Sequence, residues 1–374
     1  MEIQESIWER EDIKIGMIDI KTVENAINNK IFMEKYAQGK NFPLNFCYYK
    51  INVEELANGE YNYNYKLNIK IKYNERNIEE TAVLRINYGS QMHLDNQIEY
   101  EYNALEYLKD TGLTPFPIFL DTSKDLIEKE YLLMSFIEGR QFDYKKDLLY
   151  GANCLAQIHK YKSNHKFDFV EPNDPFAAMI DECKEMYSKY EKSDFFDKEV
   201  DNRIKIIFEN ANKRLKESNI GNKSERTLIN TELNSSNFIM KEEKCYLLDW
   251  EKPIIGEKEQ DLGHFLAPTT TFWKTDIILS KKEIDNFMEI YYKIYYNKKD
   301  VSSCELKSDD KYILFREKVY KYIVFNCLRG LTWCAMAWVE YNDSEKTLIN
   351  EFTFNKLKEY LKLDFMDNII ESFI

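Results

Sequence analysis

Three runs of alternating hydrophobic and polar positions in the first quarter of the chain predict β-strands. They are Phe46–Val53, Tyr63–Tyr73 and Glu80–Tyr88, each rich in β-branched and aromatic residues and followed by turn residues. Residues 17–37 place apolar side chains at helical spacing, and a second helical run occupies residues 99–108. Three successive strands followed by a helix predict a small antiparallel sheet with one crossing helix.

The rest of the chain is mostly helical in pattern. A strand of buried character, Tyr131–Phe136, ends just before Gly139, which lets the chain turn. Helical spacing dominates from residue 147 onward and includes a long helix, Glu317–Tyr341. We therefore predict an α+β protein with the sheet in one part and a larger helical part behind it.

One stretch, residues 226–251, interrupts the helices with strands and a polar loop. A β-prone approach, Thr227–Asn230, leads into the loop Thr231–Asn237. Two short β-prone runs then form a predicted hairpin that ends at Asp249. The loop contains no Gly or Pro, so its Asn and Ser residues must supply the turn.

This hairpin brings Glu232, Asn237 and Asp249 to the ends of strands. Two carboxylates and one carboxamide are hard oxygen ligands, with one possible base among them, and they suit Mg²⁺ and phosphates. The alternative is a polar hairpin tip whose side chains only form hydrogen bonds with its own backbone and bind no ligand. The residues alone leave both interpretations open.

The same stretch resembles the catalytic and metal loops of the aminoglycoside phosphotransferase and choline kinase-like family, a branch of the protein-kinase-like fold. The family pattern is H-G-D-x-x-x-x-N, followed after a strand by I-D-[FWY]-E. Here Asn230, Thr231 and Glu232 stand in place of His, Gly and the catalytic Asp, whereas Asn237 and Asp249-Trp250-Glu251 match. The resemblance implies Glu232 as the catalytic residue, and Asn237 and Asp249 as metal ligands.

Arg85 carries the next landmark of the resemblance. It alternates with the apolar Leu84 and Ile86, so it points to the opposite face of its strand. By itself it is either a solvent-facing Arg or a cation in a cleft. The family has Lys or Arg here, often within L-R-I, which implies binding of α- and β-phosphates. The family's helix pattern selects Glu101 as the ion-pair partner of Arg85.

The resemblance implies that two further segments contact the nucleotide. The strand that ends near Ser135 matches the family's hinge, whose backbone at Ser135 and Ile137 would contact the adenine. A turn containing Gly59, Asn62 and Tyr65 matches the family's G-x-x-N-x-x-Y turn, which covers the nucleotide. Without the resemblance, the same residues indicate an ordinary hairpin turn.

The helical part contributes structural and acceptor-side candidates. The resemblance makes Asp261 a brace of the catalytic loop and His159 a core histidine. In the long helix, Trp333 and Trp338 are five residues apart and therefore lie on different faces. Core packing is the default role for both. The family often has tryptophan near its acceptor site, so we also name Trp333, Trp338 and Glu340 as acceptor contacts.

The composition limits the classes of binding partner and the cellular compartment that we expect. The formal net charge of −13 argues against nucleic acid and anionic membranes, and is compatible with a cationic ligand. Seven scattered cysteines, none spaced as C-x-x-C, suit a reducing cytoplasm. The N-terminus lacks a secretory signal pattern, and no uninterrupted apolar run approaches a membrane span.

Together these features predict a bilobal protein-kinase-like fold, with an N-lobe at 1–137 and a helical C-lobe at 138–374. The implied function is Mg²⁺-dependent transfer of the γ-phosphate of ATP or GTP to a hydroxyl of a small molecule, which we expect to be cationic or amine-bearing. Glu232 is one methylene longer than Asp, and a misplacement of about 1 Å can cost about a hundredfold in rate. A catalytically impaired pseudokinase with a binding, regulatory or spore-coat-like structural role is therefore the alternative. The sequence predicts no oligomeric state.

Overall fold

The computed structural model describes residues 18–58, 61–90, 92–217, 225–342 and 350–374. By its contacts the chain divides into two compact units. The first comprises Met1–Glu138, Ser163–Phe167 and Tyr246–Lys252, and the second comprises the remainder. The segment that carries Asp249 therefore belongs to the first unit, whereas the sequence predicted one boundary after residue 137.

The first unit is built on an antiparallel sheet of five strands in the order β1-β2-β3-β5-β4, which confirms the predicted sheet. Its elements are α1 (Ile20–Ile27), α2 (Lys30–Gly39), β1 (Tyr48–Asn58), β2 (Asn62–Lys72), β3 (Asn77–Asn87), α3 (Gln97–Leu108), a 3₁₀ turn (Lys109–Thr111), β4 (Pro117–Asp121) and β5 (Tyr131–Ser135).

The helical pattern of residues 17–37 is divided into two helices, where one was expected. Asn28 ends α1 and Asn29 caps α2 by accepting a hydrogen bond from the Phe32 amide at 2.9 Å. A side-chain cap of this kind satisfies a backbone donor that the helix leaves unpaired. Two adjacent asparagines therefore break a run whose hydrophobic spacing is continuous.

Alternation along the strands builds the core of the first unit. Leu67, Ile69 and Ile71 on β2 are almost fully buried, while the residues between them are more exposed. Each such side chain contributes about 1.5–3 kcal/mol by its burial. Tyr65 is also buried and donates its hydroxyl proton to the Ile18 carbonyl at 2.6 Å, so it is a core residue.

The second unit is mostly helical, with two small sheets, β10-β7 and β6-β8-β9. Its elements are β6 (Arg140–Gln141), α4 (Tyr144–Lys160), α5 (Pro175–Glu191), α6 (Lys198–Glu217), β7 (Arg226–Ile229), a 3₁₀ turn (Ser235–Asn237), β8 (Phe238–Lys241), β9 (Lys244–Leu247, whose last two residues count with the first unit), β10 (Ile254–Glu257), α7 (Lys258–Leu266), α8 (Pro268–Thr275), α9 (Lys281–Tyr295), α10 (Ser303–Lys307), α11 (Asp310–Asn342), α12 (Glu351–Tyr360) and α13 (Leu363–Phe373).

The long helix α11 is the centre of the second unit, where it packs against α5, α6 and α7. Gly263 permits the approach of α7, because a Cβ there would lie 2.3 Å from the Cβ of Tyr322. Helix α11 is the one helix within the described residues that is long and apolar enough to cross a membrane. Within its qualifying window 72% is buried in the protein, as in a core helix.

Candidate functional site

Arg85 is the centre of a polar network inside the first unit. Its Nη1 donates to Glu101 and, at 2.9 Å, to Oδ1 of Asp249. Its Nε donates to Oδ1 of Asn64 at 2.9 Å. Strand pairing places Asn64 directly opposite Arg85, and α3 supplies Glu101. The ion pair expected between Arg85 and Glu101 is thus present, and Asp249 joins it.

The charged side chains of this network are buried, so they interact strongly with one another. The side chain of Glu101 is 1% exposed and that of Arg85 is 10% exposed. The pKa of Glu101 is raised above its usual range, chiefly by burial; Arg85 opposes this shift and Asp249 adds to it. Within the described part of the chain, Oε2 of Glu101 is buried without a hydrogen-bond partner. Arg85 is therefore the charge that keeps two neighbouring carboxylates together.

The segment around Asp249 is fastened to the sheet and to α3 by its neighbours. Glu251 accepts hydrogen bonds from Asn62 Nδ2 at 3.1 Å and, through its carbonyl, from Gln97 Nε2 at 2.7 Å. Asp249 has a left-handed backbone with φ of 48°, which is uncommon for a residue other than glycine. Its side chain keeps 37% exposure. The loop is held by its flanks, and the Asp249 carboxylate is left accessible.

The strand end at Ser135 offers the backbone pattern expected of a hinge. The Ser135 amide donates to the Phe116 carbonyl at 2.9 Å, so of its two backbone groups the carbonyl is the one left for a ligand. Two residues later, the amide of Ile137 donates to no residue in the described ranges. Alternate residues of an extended chain point the same way. A carbonyl from Ser135 and an amide from Ile137 thus form an acceptor–donor pair. Gly59 lies outside the described residues.

In the second unit, Asp261 holds the loop that carries Glu232. The fully buried carboxylate of Asp261 accepts hydrogen bonds from the amides of Asn230 at 2.8 Å and Thr231 at 2.7 Å. His159 lies 3.2 Å from the same carboxylate and 2.8 Å from the Tyr291 hydroxyl. The expectation of Asp261 as a brace and of His159 as a satisfied core histidine is confirmed.

The loop itself turns through an unusual backbone conformation. Thr231 has φ of 74°, a region that β-branched residues rarely adopt. Asn237 Nδ2 and Asn234 Nδ2 both donate to the Glu232 carbonyl, at 3.2 and 3.3 Å. The side-chain nitrogen of Asn237 is thus engaged inside the loop, and its Oδ1 accepts a long hydrogen bond of 3.4 Å from the Ser236 hydroxyl, which leaves one lone pair of that oxygen for a ligand.

The Glu232 carboxylate acts to raise the pKa of two groups of the second unit, Arg329 and His264. Burial acts to lower the pKa of Arg329, but Glu182 and, more weakly, Glu232 raise it. Burial and then the Arg329 charge lower the pKa of His264, which lies 3.0 Å from Asn326 Oδ1. The half-buried Glu232 therefore lies in a region with a permanent cation and a neutral imidazole.

The tryptophans of α11 pack against other aromatic rings. Trp333 meets Trp273 edge to face at 5.4 Å between ring centroids. Trp338 stacks on Phe354 at 5.5 Å and 8° between ring planes. Trp333 and Glu340 are seven residues apart and share a face of the helix, whereas Trp338 lies on another. The three proposed acceptor contacts therefore do not form one surface.

Sequence reasoning missed several residues that join these groups. Asn64 and Gln97 reach the Arg85 network, and Glu182 pairs with Arg329 from a helix in which no motif was recognised. One signal for Arg329 existed, because it precedes Trp333 by four residues and must share its face of α11. Asn64, Gln97 and Glu182 had no such signal, because each contacts residues that are distant in the sequence.

Comparison with known proteins adds a family and a fold. A model of a family described as "Phosphotransferase enzyme family" matches residues 52–287. The search of curated protein sequences found no significant match.

Several solved structures resemble the whole chain at low sequence identity. A putative aminoglycoside phosphotransferase from Ralstonia eutropha JMP134 is 14% identical with a TM-score of 0.60, over 92% of this chain and 98% of that one. Plasmodium vivax ethanolamine kinase is 16% identical with a TM-score of 0.52, over 94% and 96%. An amicoumacin kinase in complex with AMP-PNP and Ca²⁺ is 14% identical with a TM-score of 0.51, over 93% and 96%. At these identities the likeness establishes the protein-kinase-like fold.

Proposed function

Because the chain belongs to the phosphotransferase enzyme family, we propose that it transfers the γ-phosphoryl group of ATP or GTP to a hydroxyl group of a small molecule. The observation that carries this proposal is the network of Arg85, Glu101 and Asp249. Protein kinases use a similar arrangement, in which one carboxylate holds the cation that binds the phosphates and a second carboxylate binds the metal.

Arg85 would hold the α- and β-phosphates, and Glu101 would keep its guanidinium in place. The Ser135 carbonyl and the Ile137 amide would bind the edge of the base. An acceptor–donor pair of this kind fits adenine. The likeness to a kinase solved with AMP-PNP supports ATP as the donor.

Asp249 and Asn237, the two residues that match the family's metal ligands, each have a donor atom that suits Mg²⁺. Asp249 offers a carboxylate with 37% of its side chain exposed, and Asn237 offers its amide oxygen. Both are hard oxygen ligands, which Mg²⁺ prefers together with substrate phosphates. A bound Mg²⁺ would neutralise charge on the transferred group.

Glu232 would orient the acceptor hydroxyl and accept its proton. The hydroxyl oxygen forms a new bond to the γ-phosphorus while the bond from that phosphorus to the β–γ bridging oxygen breaks, and ADP or GDP leaves. The transition state of this reaction is loose, so positioning and charge supply most of the catalysis. A Glu in place of Asp is compatible with such a role because the demand on the base is small.

The acceptor is a small molecule in this proposal. A cationic or amine-bearing acceptor follows from the net charge of −13 and from Trp333 and Glu340 on one face of α11. Nucleic acid and membranes are not proposed as partners. We propose a cytoplasmic location, which the seven free thiols support.

A pseudokinase is the second candidate, and one observation favours it. Thr231 and Glu232 replace residues of the family pattern, and Thr231 is held at a strained φ of 74°. A loop that had lost its catalytic task would tolerate both changes.

A thermal-shift experiment tests the nucleotide part of the proposal. Saturating Mg-ATP or Mg-GTP should raise the melting temperature, because a ligand of the native state stabilises it. Asp249→Asn should reduce the Mg²⁺-dependent part of the shift, whereas Asp181→Asn, at a side chain that is 75% exposed, should not. The absence of any shift with either nucleotide would remove the basis of the kinase proposal.

The Glu232→Gln variant separates the two candidates. In an active kinase it should lower turnover by about a hundredfold and leave nucleotide affinity nearly unchanged, because the lost interaction belongs to the transition state. In a pseudokinase it changes no measurable transfer. The measurement is phosphoryl transfer from radiolabelled ATP across a panel of alcohols, with nucleotide affinity measured by calorimetry.

A further inference from the structure

One cation of the second unit has no role in the proposed chemistry. Arg329 lies on α11 and shares one partly exposed stripe of that helix with Trp333, Met336 and Glu340. These residues follow each other at spacings of three and four, which places them on one face. The Arg329 side chain keeps 30% exposure, and burial is the largest influence on the pKa of its guanidinium.

The orientation of this guanidinium is fixed from one side. Glu182 on α5 accepts from Nε of Arg329 at 2.9 Å and from Nη2 at 3.0 Å. Among the residues that the structure describes, Nη1 donates to none. Guanidinium has five donors in a rigid plane, and its two edges can each bind a pair of oxygens. The Glu182 pair uses one edge and presents the Nη1–Nη2 edge.

Contacts through α7 connect the region of Arg329 to the loop that carries Glu232. Asn326, three residues before Arg329, contacts His264 of α7, which also carries Asp261. Asp261 in turn holds the amides beside Glu232. The Glu232 carboxylate also acts to raise the pKa of Arg329. A chain of contacts therefore runs from the Arg329 segment of α11 to the loop with the proposed base.

We propose that the acceptor alcohol carries an anionic group, a carboxylate or a phosphate, which the Nη1–Nη2 edge of Arg329 binds while its hydroxyl faces Glu232. This inference rests on the proposed function and names its substrate class. A planar fork suits two oxygens of one anion, and charge-assisted pairs of this kind are about twice as strong as neutral hydrogen bonds. An amine elsewhere on the acceptor is compatible with the same arrangement.

The transferred phosphoryl group is the other anion that Arg329 could serve. The ion pair with Glu182 favours the acceptor group over the transferred phosphoryl group. It orients the Nη1–Nη2 edge of Arg329 before the reaction begins, as binding of an intact substrate needs. The two possibilities differ in what they do to nucleotide binding. A residue that serves the acceptor leaves the affinity for AMP-PNP unchanged when it is removed.

Fluorine NMR with trifluoroacetate as a carboxylate probe tests the site without any nucleotide. Trifluoroacetate should bind the full-length protein saturably, and Arg329→Gln should weaken that binding about tenfold. Arg329→Lys keeps the charge without the fork and should weaken it severalfold, which covers the case in which Arg329→Gln does not fold. Equal binding by wild type and both variants, or no saturable binding by wild type, overturns the proposal.

Arg316→Gln is the matched control. Arg316 lies on the same helix and uses the same two atoms, Nε at 2.8 Å and Nη2 at 2.9 Å, to bind Asp285. Its loss should leave trifluoroacetate affinity within about twofold, since it is not adjacent to the loop of Glu232. A loss as large as that of Arg329→Gln would mean that the probe reads general charge, and the proposal would fail.

Calorimetry with Mg-AMP-PNP distinguishes the two sources of the anion. Unchanged affinity in Arg329→Gln supports the acceptor group, whereas affinity lowered tenfold assigns Arg329 to the phosphoryl group and overturns the inference. If wild type binds trifluoroacetate at Arg329 but no nucleotide, the proposed function fails and the anion site stands. The two failures are therefore separable.

Discussion

The two candidate regions hold their polar groups in opposite ways. Around Arg85, side chains hold one another, since Glu101, Asn64 and Asp249 all meet one guanidinium. Around Glu232, side chains hold backbone groups instead. Asp261 accepts from two amides, and the side chains of Asn234 and Asn237 donate to the Glu232 carbonyl. The first arrangement depends on the identity of every participant. The second depends on the residues whose side chains reach the loop backbone, and the fully buried Asp261 reaches it from another element.

This difference explains where the chain departs from the family pattern. A change at Arg85 or Glu101 leaves a buried charge without its partner, which is costly. A change at residues 230–232 keeps the amides that Asp261 binds, and Asn230 adds a hydrogen bond of its own by accepting from the Glu232 amide at 3.2 Å. The pattern could therefore become Asn230-Thr231-Glu232 while the loop kept its backbone path.

The largest expected effect is in the first region. Arg85→Met should lower the free energy of unfolding by about 3–5 kcal/mol, because Glu101 is left buried beside Asp249 without a cation. Urea denaturation measures it. The double variant Arg85→Met/Glu101→Leu should regain most of the loss, since it removes the orphaned charge. A single variant that loses less than about 1 kcal/mol would show that the network does not depend on its cation.

The Arg85 network also indicates how much of the site was predictable from the sequence. Arg85, Glu101 and Asp249 were identifiable because they recur in order with recognisable neighbours, and strand alternation fixed the face of Arg85. Asn64 and Gln97 were not, because each reaches the network through pairing and packing between segments distant in the chain. The split between α1 and α2 was missed since hydrophobic spacing continues across the two asparagines that break the helix.

In the second region, the largest effect should follow from the brace. Asp261→Asn replaces an oxygen that accepts from backbone amides with an amide group that donates, so one buried N–H loses its partner. We expect a loss of about 3 kcal/mol in the free energy of unfolding, measured in urea. Asp285→Asn, at a half-exposed ion pair with Arg316, should lose less than about 1 kcal/mol. Equal losses in Asp261→Asn and Asp285→Asn would mean that the buried Asp261 contributes no more to stability than an ion pair at the surface.

The smallest effect should come from Thr231, and it is the sharpest check on the second region. A β-branched residue at φ of 74° is strained by roughly 1–2 kcal/mol, which glycine relieves. Glycine also gives the unfolded chain more freedom, which costs about 0.5–1 kcal/mol. Thr231→Gly should therefore raise the free energy of unfolding by up to about 1 kcal/mol, as measured in urea.

Thr231→Ala is the matched control for this substitution, because it removes the side-chain branch but keeps a Cβ in the left-handed conformation. It should gain less than Thr231→Gly. If both variants are less stable than wild type, the Thr231 side chain contributes to the loop beyond the amide that Asp261 binds. In that case the second region, like the first, depends on side-chain identity, and the departure from the family pattern is a rebuilt loop rather than a tolerated one.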